Sequence, residues 1–390
     1  MIERKTFKDF RPSLDRFQMV SLIVGIGGLG FCLVGAIFGL EQFFQSYLYG
    51  FIFWLGIALG CLILLLLQNI AGGPWGPMIR RPLEAGVTLI PIMGLFFIPI
   101  LAGMGYLYEW TNPEVIAVNE IIASKTAYLN VPFFIVRALF YFAVWIGISY
   151  LLVSWSQQQD DTNDPKVAEK MRNFSAPGLI SFILTMTFAA FDWGMSLTPE
   201  WFSGMYGVIF MIGQAISAVA FMIIIMTLFG HFEPLASVAN PKRIQDLGNF
   251  LMAFTMFWAY VSASQLIIIW SNNVVETNSW YVLRLNGFWG WIGAALLLFH
   301  FASPFLILFS RWVKQKVRAL VIIACWMLFM RLVDIFWLIV PTYERNIPFS
   351  LLDAAVLVGI GGVWLSIFIS RLKDKPLLPL HDPRLASDHG

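Results

Sequence analysis

The chain has 390 residues, of which 59% are apolar, 16% aromatic and only 12% charged, against roughly 25% charged residues in soluble domains. With a mean hydropathy of +0.75 and many apolar runs near the ~20 residues that cross a bilayer's hydrocarbon, it reads as an all-α integral membrane protein and not as a soluble enzyme. A formal net charge of +2 points to no nucleic-acid partner, and the basic residues are informative by position instead.

The first 17 residues are polar and lead into a long span without a short apolar stretch and small-residue cleavage site, so the N-terminus reads as uncleaved. Ten transmembrane helices follow, predicted over 18–40, 47–70, 85–108, 131–153, 175–197, 201–229, 244–270, 285–309, 318–340 and 349–370. They form a single polytopic domain over 1–390, with the segment 1–17 and the tail 371–390 on one side. Of the 25 Lys and Arg residues, only Lys125, Arg284 and Arg345 fall in loops on the opposite side, and Arg137 and Arg331 fall within spans. All the others lie on the side of the N-terminus, so the positive-inside rule places both termini in the cytoplasm. Trp110, Trp201, Trp270, Trp280 and Trp289 fall near outer helix ends, as an interfacial aromatic belt requires.

The fifth predicted helix ends in Asp192 to Pro199 and the ninth in Asp334 to Pro341, each with Asp seven residues before Pro. These helices are four spans apart, so a repeat would relate helices 2–5 (47–197) to helices 6–9 (201–340) in the same orientation, as two four-helix bundles with one helix at each end.

An ionisable residue inside the membrane costs at least ~2.5 kcal/mol on insertion scales and needs a reason. Asp192, Asp334, Arg137 and Arg331 are the main cases. At 1.5 Å per residue, Asp192 and Asp334 lie roughly 26 and 24 Å from the cytoplasmic ends of their helices, and Arg137 about 9 Å below the outer face. All four share the outer third of the membrane. Arg331 and Asp334, spaced i,i+3, are expected to pair on one helix, and Arg137 with Asp192 between neighbouring helices. Two readings stay open: structural ion pairs that pin the bundles, or a proton relay. For the relay, Ser181, Thr185, Asp192 and Ser196 fall within an arc of about 60° on the fifth helix. The sixth helix carries Ser203, Tyr206, Gln214 and Ser217, and the seventh Thr255, Ser262 and Gln265; Ser and Thr also serve as ordinary interhelical glue.

Cys32, Cys61 and Cys325 lie in apolar runs with no CxxC spacing, which suggests neither disulfides nor an iron–sulfur or zinc site. Of four histidines, His381 and His389 are in the tail, His231 is in a cytoplasmic loop, and only His300 is within a span. A b-type haem in such a bundle usually needs two facing axial side chains, so no haem, cluster or metal is expected in this chain. His300, about 22 Å below the outer face, either ends a proton path or bonds a neighbouring helix.

The segment 72–85 reads GGPWGPMIRRPLEA, a glycine turn at the cytoplasmic interface with Trp75 as anchor, Arg80 and Arg81 at headgroup level, and Pro82 and Glu84 in the first turn of a helix. Together with FWAYVSASQLIIIWSNN at 257–273 and ETNSWYVLR at 276–284, it resembles the membrane subunits of alternative complex III, a bacterial quinol:cytochrome c oxidoreductase, within the NrfD/PsrC-like family. The resemblance covers essentially the whole chain. It implies ten spans in two four-helix bundles, residence in the bacterial inner membrane, and work beside an iron–sulfur subunit, a multihaem cytochrome c subunit and the sister membrane subunit ActC. Haem c and iron–sulfur clusters belong to those partners, membrane lipids surround the chain, and quinone is allowed nearby. The quinol-oxidising ActC is longer and uses His and Asp near the outer face; this chain has no histidine in its outer half, which implies the sister role, structural with proton conduction as an added expectation. A proton-coupled secondary transporter is the alternative, since parallel repeats and buried Asp/Arg pairs fit that class as well.

Overall fold

The computed structural model describes residues 7–384 other than 163, 234, 273, 344, 346, 347, 375, 380, 381 and 383; the side chains of 7–10 and 276 are also outside the description. His381, His389 and the ends of both polar termini therefore lie outside the described residues. The chain is 87% helical with no strands among the described residues, and ten helices are long and apolar enough to cross a membrane. It is a multi-pass membrane protein.

The helices are α1 (Phe7–Phe38), α2 (Leu40–Ala71), α3 (Trp75–Ala102), α4 (Val131–Thr162), α5 (Pro165–Trp193), α6 (Tyr206–Phe229), α7 (Pro241–Asn272), α8 (Gly287–Phe309), α9 (Val317–Ile339) and α10 (Leu351–Lys373). Ten crossings bring both ends to one side, called here the terminal side, where Lys373 bonds Asp15 and Gln18. The opposite side is the far side.

Several helices run past the predicted boundaries because polar residues do not end a helix when caps are absent. Residues 41–46, expected as a loop, continue α2, and a lone extended residue, Gly39, separates it from α1. Residues 154–162 and 165–174 extend α4 and α5, the latter capped by Asp164, whose side chain accepts from the Lys166 amide at 2.9 Å. Gly72 and Gly73 (φ +66° and +90°) make the turn after α2. α3 then starts at Trp75, ten residues before the expected 85. Its α-helical hydrogen bonding is interrupted at Thr88 and Phe97, where Pro91 and Pro99 supply no donor to the preceding turn. Both residues keep right-handed helical dihedrals, so the span continues through the interruptions without unwinding.

α2 and α6 sit at the centre and touch each other. α2 packs on α3 and α5, α3 on α4, and α4 on α5; α6 packs on α7 and α9, α7 on α8, and α8 on α9. α1 and α10 pair outside α2 through glycines: a Cβ at Gly28 would fall 2.8 Å from Gly359 Cα, and one at Gly25 2.6 Å from the Val363 nitrogen. In lipid, where no hydrophobic force joins helices, such close approach is what dispersion attraction requires. The glycine clusters of the two end helices are thus a packing seam.

Candidate functional site

Two buried Asp/Arg pairs form the sites anticipated in the far half of the membrane. Asp192, fully buried near the end of α5, accepts from Arg137 Nε at 2.8 Å and Nη2 at 2.9 Å, and from the Tyr141 hydroxyl at 2.8 Å. Arg137 also donates to the Tyr128 carbonyl at 2.8 Å and lies over the rings of Tyr128 and Phe133, at 3.8 and 4.3 Å. A bidentate guanidinium–carboxylate fork with further donors is the arrangement that offsets desolvation of both charges. In α9, Arg331 Nη1 bonds Asp334, both residues buried. Gly213 of α6 makes room for this guanidinium, since a Cβ there would lie 2.0 Å from Arg331 Nη2.

The polar stripes are less continuous than the helical wheel suggests. Ser181 is exposed, and its hydroxyl donates to the Pro177 carbonyl at 2.9 Å, so it lies off the buried face of α5 and lines no internal path. Thr185 is buried and accepts from Trp145 Nε1 at 2.9 Å, while Ser196 donates to the Asp192 backbone carbonyl and leaves its carboxylate alone. Thr255 and Ser217 likewise bond carbonyls four residues earlier, at 2.7 and 3.0 Å, the usual back-bonding of buried hydroxyls in helices. Ser203 and Tyr281 meet at Gln265, through bonds of 2.7 and 3.1 Å, and Gln214 Nε2 donates to the sulfur of Met186 at 3.3 Å. Periodicity locates a face; which of its hydroxyls meets another helix depends on tertiary packing.

His300 is fully buried with its ring 4.3 Å from that of Trp258, and neither ring nitrogen has a hydrogen-bond partner among the described residues. It lies within a π-helical turn, Leu296–Ala302, ahead of Pro304, which has no amide to give the His300 carbonyl. The Arg331 Nε is also without a hydrogen-bond partner among the described residues.

The largest correction concerns the loop after α2. Arg80 and Arg81, expected on an interfacial loop, lie within α3 and are buried, each 2% exposed. Because α3 begins at Trp75, its first two turns are drawn between the other helices. Arg80 donates to Glu84 at 3.2 Å, Gln159 at 2.9 Å and Asp382 at 3.0 Å. Arg81 bonds Glu84 at 2.7 Å, Ser156 at 3.1 Å, and Asp160. Ser156 in turn donates to Glu84. One face of α4 then carries Gln159, Ser156, Ser149, Trp145, Tyr141 and Arg137, all buried, from this terminal-side cluster to Asp192. Ser149 has no hydrogen-bond partner among the described residues, and about 10 Å of helix without a polar side chain on this face separates it from Ser156. The four-residue spacing of 137, 141, 145 and 149 is the signal in the sequence that marks this face.

On the far side a cleft of about 450 Å³ is bounded by Lys125, Tyr128, Phe191, Ser196 and Trp201. Lys125 donates to the Pro199 carbonyl at 2.5 Å; burial lowers its pKa from the ordinary 10.5, with the charge of Glu200 opposing. Arg284, expected in an outer loop, is fully buried over the Trp280 ring at 3.7 Å. It donates to the Trp337 and Leu338 carbonyls at 3.1 and 2.8 Å, closing the C-terminal end of α9. Arg345 ties Asp353, within the capping box of α10, to Gln45 of α2.

Among the described residues no three or more His, Cys, Asp or Glu side chains converge as metal ligands. Cys32 and Cys61 are buried and Cys325 is exposed. Comparison of the chain with protein-family models and with curated proteins returns no match, so the functional reading stands on the motifs and on this geometry.

Proposed function

We propose that the chain is a redox-inactive integral subunit of a bacterial quinol:cytochrome c oxidoreductase of the alternative complex III type, similar to its membrane subunit ActF. In this reading the terminal side is cytoplasmic, the partners are ActC, an iron–sulfur subunit and a multihaem cytochrome c subunit, and haem and clusters reside in those partners. The role is to hold the assembly and to conduct protons through the buried charges. α2–α5 and α6–α9 are read as two copies related by an axis along the membrane normal, each with an Asp/Arg pair at one depth.

The observation that carries this reading is the fate of the motif: Arg80, Arg81 and Glu84, on which the resemblance rests, form one buried charge cluster with Ser156, Gln159 and Asp160. Supporting it for protons, α4 sets a polar face between that cluster and Asp192. The test is purification from native membranes in mild detergent. A haem-bearing and iron–sulfur-bearing assembly is expected; a solitary protein that moves a solute in liposomes would replace this reading with a transporter.

A further inference from the structure

The terminal-side ends of α7, α8 and α9 meet in a patch of positive charge. Residues 240–248 and 310–320 carry Lys242, Arg243, Arg311, Lys314, Lys316 and Arg318 against one acid, Asp246. The fold joins the two segments: a short helix, Arg311–Gln315, packs on α7, and Gln315 Nε2 donates to Gln245 Oε1 at 2.8 Å. Lys242 lies one turn before Gln245 on the same helix. Arg243 is buried and donates to the Val238 carbonyl at 2.9 Å. The other five cations make no ion pair among the described residues.

Lys314 separates this patch from an ordinary solvated face. It is 5% exposed, and its stem lies against Gly248 of α7, where a Cβ would fall 2.9 Å from Lys314 Cγ. No acceptor takes its ammonium among the described residues. A cation withdrawn from water without a partner is costly; burial, and then the charge of Arg311, lower its pKa from the ordinary 10.5. An anion placed here would offset that cost.

The surface leading away from the patch indicates what carries the anion. Leu306 and Phe309 at the end of α8, and Trp312 just beyond it, are exposed, and Lys316 Nζ lies 3.4 Å from the centre of the Trp312 ring. Apolar side chains at the end of a span, then a Trp, then cations match one amphiphile with its chains along the helix and its charged head at the patch. A soluble acidic partner would meet the cations and leave the apolar strip unused.

We propose that the terminal-side ends of α7, α8 and α9 form a binding site for an anionic phospholipid, with its phosphate at Arg311 and Lys314 and its acyl chains along Leu306 and Phe309.

The full chain, delipidated in a neutral detergent, is titrated with dioleoyl phosphatidylglycerol or dioleoyl phosphatidylcholine, and bound lipid is read by native mass spectrometry. The two lipids share acyl chains, so a difference reports the headgroup. Phosphatidylglycerol is expected to bind about tenfold more tightly, and Arg311→Gln with Lys314→Gln to weaken it about thirtyfold, since one Lys or Arg beside anionic headgroups is worth about fivefold. Lys314→Arg keeps the charge and should stay within about threefold of the parent. Lys166→Gln with Arg172→Gln removes equal charge from exposed positions at the terminal-side end of α5 and should leave binding unchanged. Equal affinity for the two lipids overturns the proposal, and so does an equal loss in both double variants, which would mark diffuse attraction to a basic face. If the buried substitution prevents folding, Arg311→Gln with Lys316→Gln, both exposed, decides. Binding of polyglutamate without a preference for phosphatidylglycerol would assign the patch to an acidic protein segment and remove the lipid.

Discussion

Asp192→Asn removes one charge from the most completely built ion pair in the membrane while keeping shape. The carboxylate accepts three charge-assisted or phenolic bonds, from Arg137 Nε and Nη2 and from Tyr141. An amide offers one oxygen and turns its NH₂ towards a guanidinium that has only donors. Removing one member of a buried pair typically costs ~3–5 kcal/mol, because the other charge is left uncompensated. Arg137 is 8% exposed and keeps the Tyr128 carbonyl and two aromatic faces. The cost is therefore expected near the lower end, about 3 kcal/mol. Arg137→Gln with Asp192→Asn should lose less than the sum of the two single changes, with a coupling of about 2 kcal/mol, because the stranded charge is gone. Reversible unfolding in mixed detergent and dodecyl sulfate micelles, followed by circular dichroism, measures all three. A single variant within about 0.5 kcal/mol of the parent, or additivity within that margin, would refute the argument that this pair holds α4 to α5. Proton translocation in the same variants asks a separate question: selective loss of coupling in a normally assembled complex marks a relay.

Arg284→Gln should destabilise by about 2 kcal/mol or more, since it frees two carbonyls at the end of α9 and a buried ring contact, with Arg284→Lys only partly restoring it; unchanged thermal unfolding would contradict the capping role. His300→Phe keeps the packing on Trp258 and removes two buried nitrogens without protein partners, so a higher thermal midpoint is expected; a lower one would mean that ordered water holds the imidazole. Gly28→Leu drives a side chain into Gly359 and should separate α1 from α10, read as loss of a cysteine crosslink between them, with α2–α9 still folded. For Asp382, burial raises its pKa, but the bond and charge of Arg384 and the charge of Arg80 outweigh it, so it is held below its ordinary 3.8. A depressed folded value stabilises above the unfolded pKa and is lost as pH falls through the folded one; tail protection should be level through neutral pH and fall only in acid below about pH 4.

Span number and the positions of the intramembrane charges were determined by the sequence alone, because an apolar run of bilayer length and a charge at depth are local properties of the chain. The two Asp/Arg pairings were legible for the same reason: one follows from i,i+3 spacing, and the other from equal depth on adjacent spans. What Arg80, Arg81 and Glu84 do was decided by the fold, since a charged segment between two apolar runs reads as an interfacial loop unless four-residue spacing and distant partners such as Ser156, Asp160 and Asp382 draw it inward. Ser181 marks the same limit from the other direction. Helical periodicity puts it near the face of Asp192, but burial depends on which helix stands opposite at that depth, and only the packing of α4 against α5 decides that one is covered and the other is not.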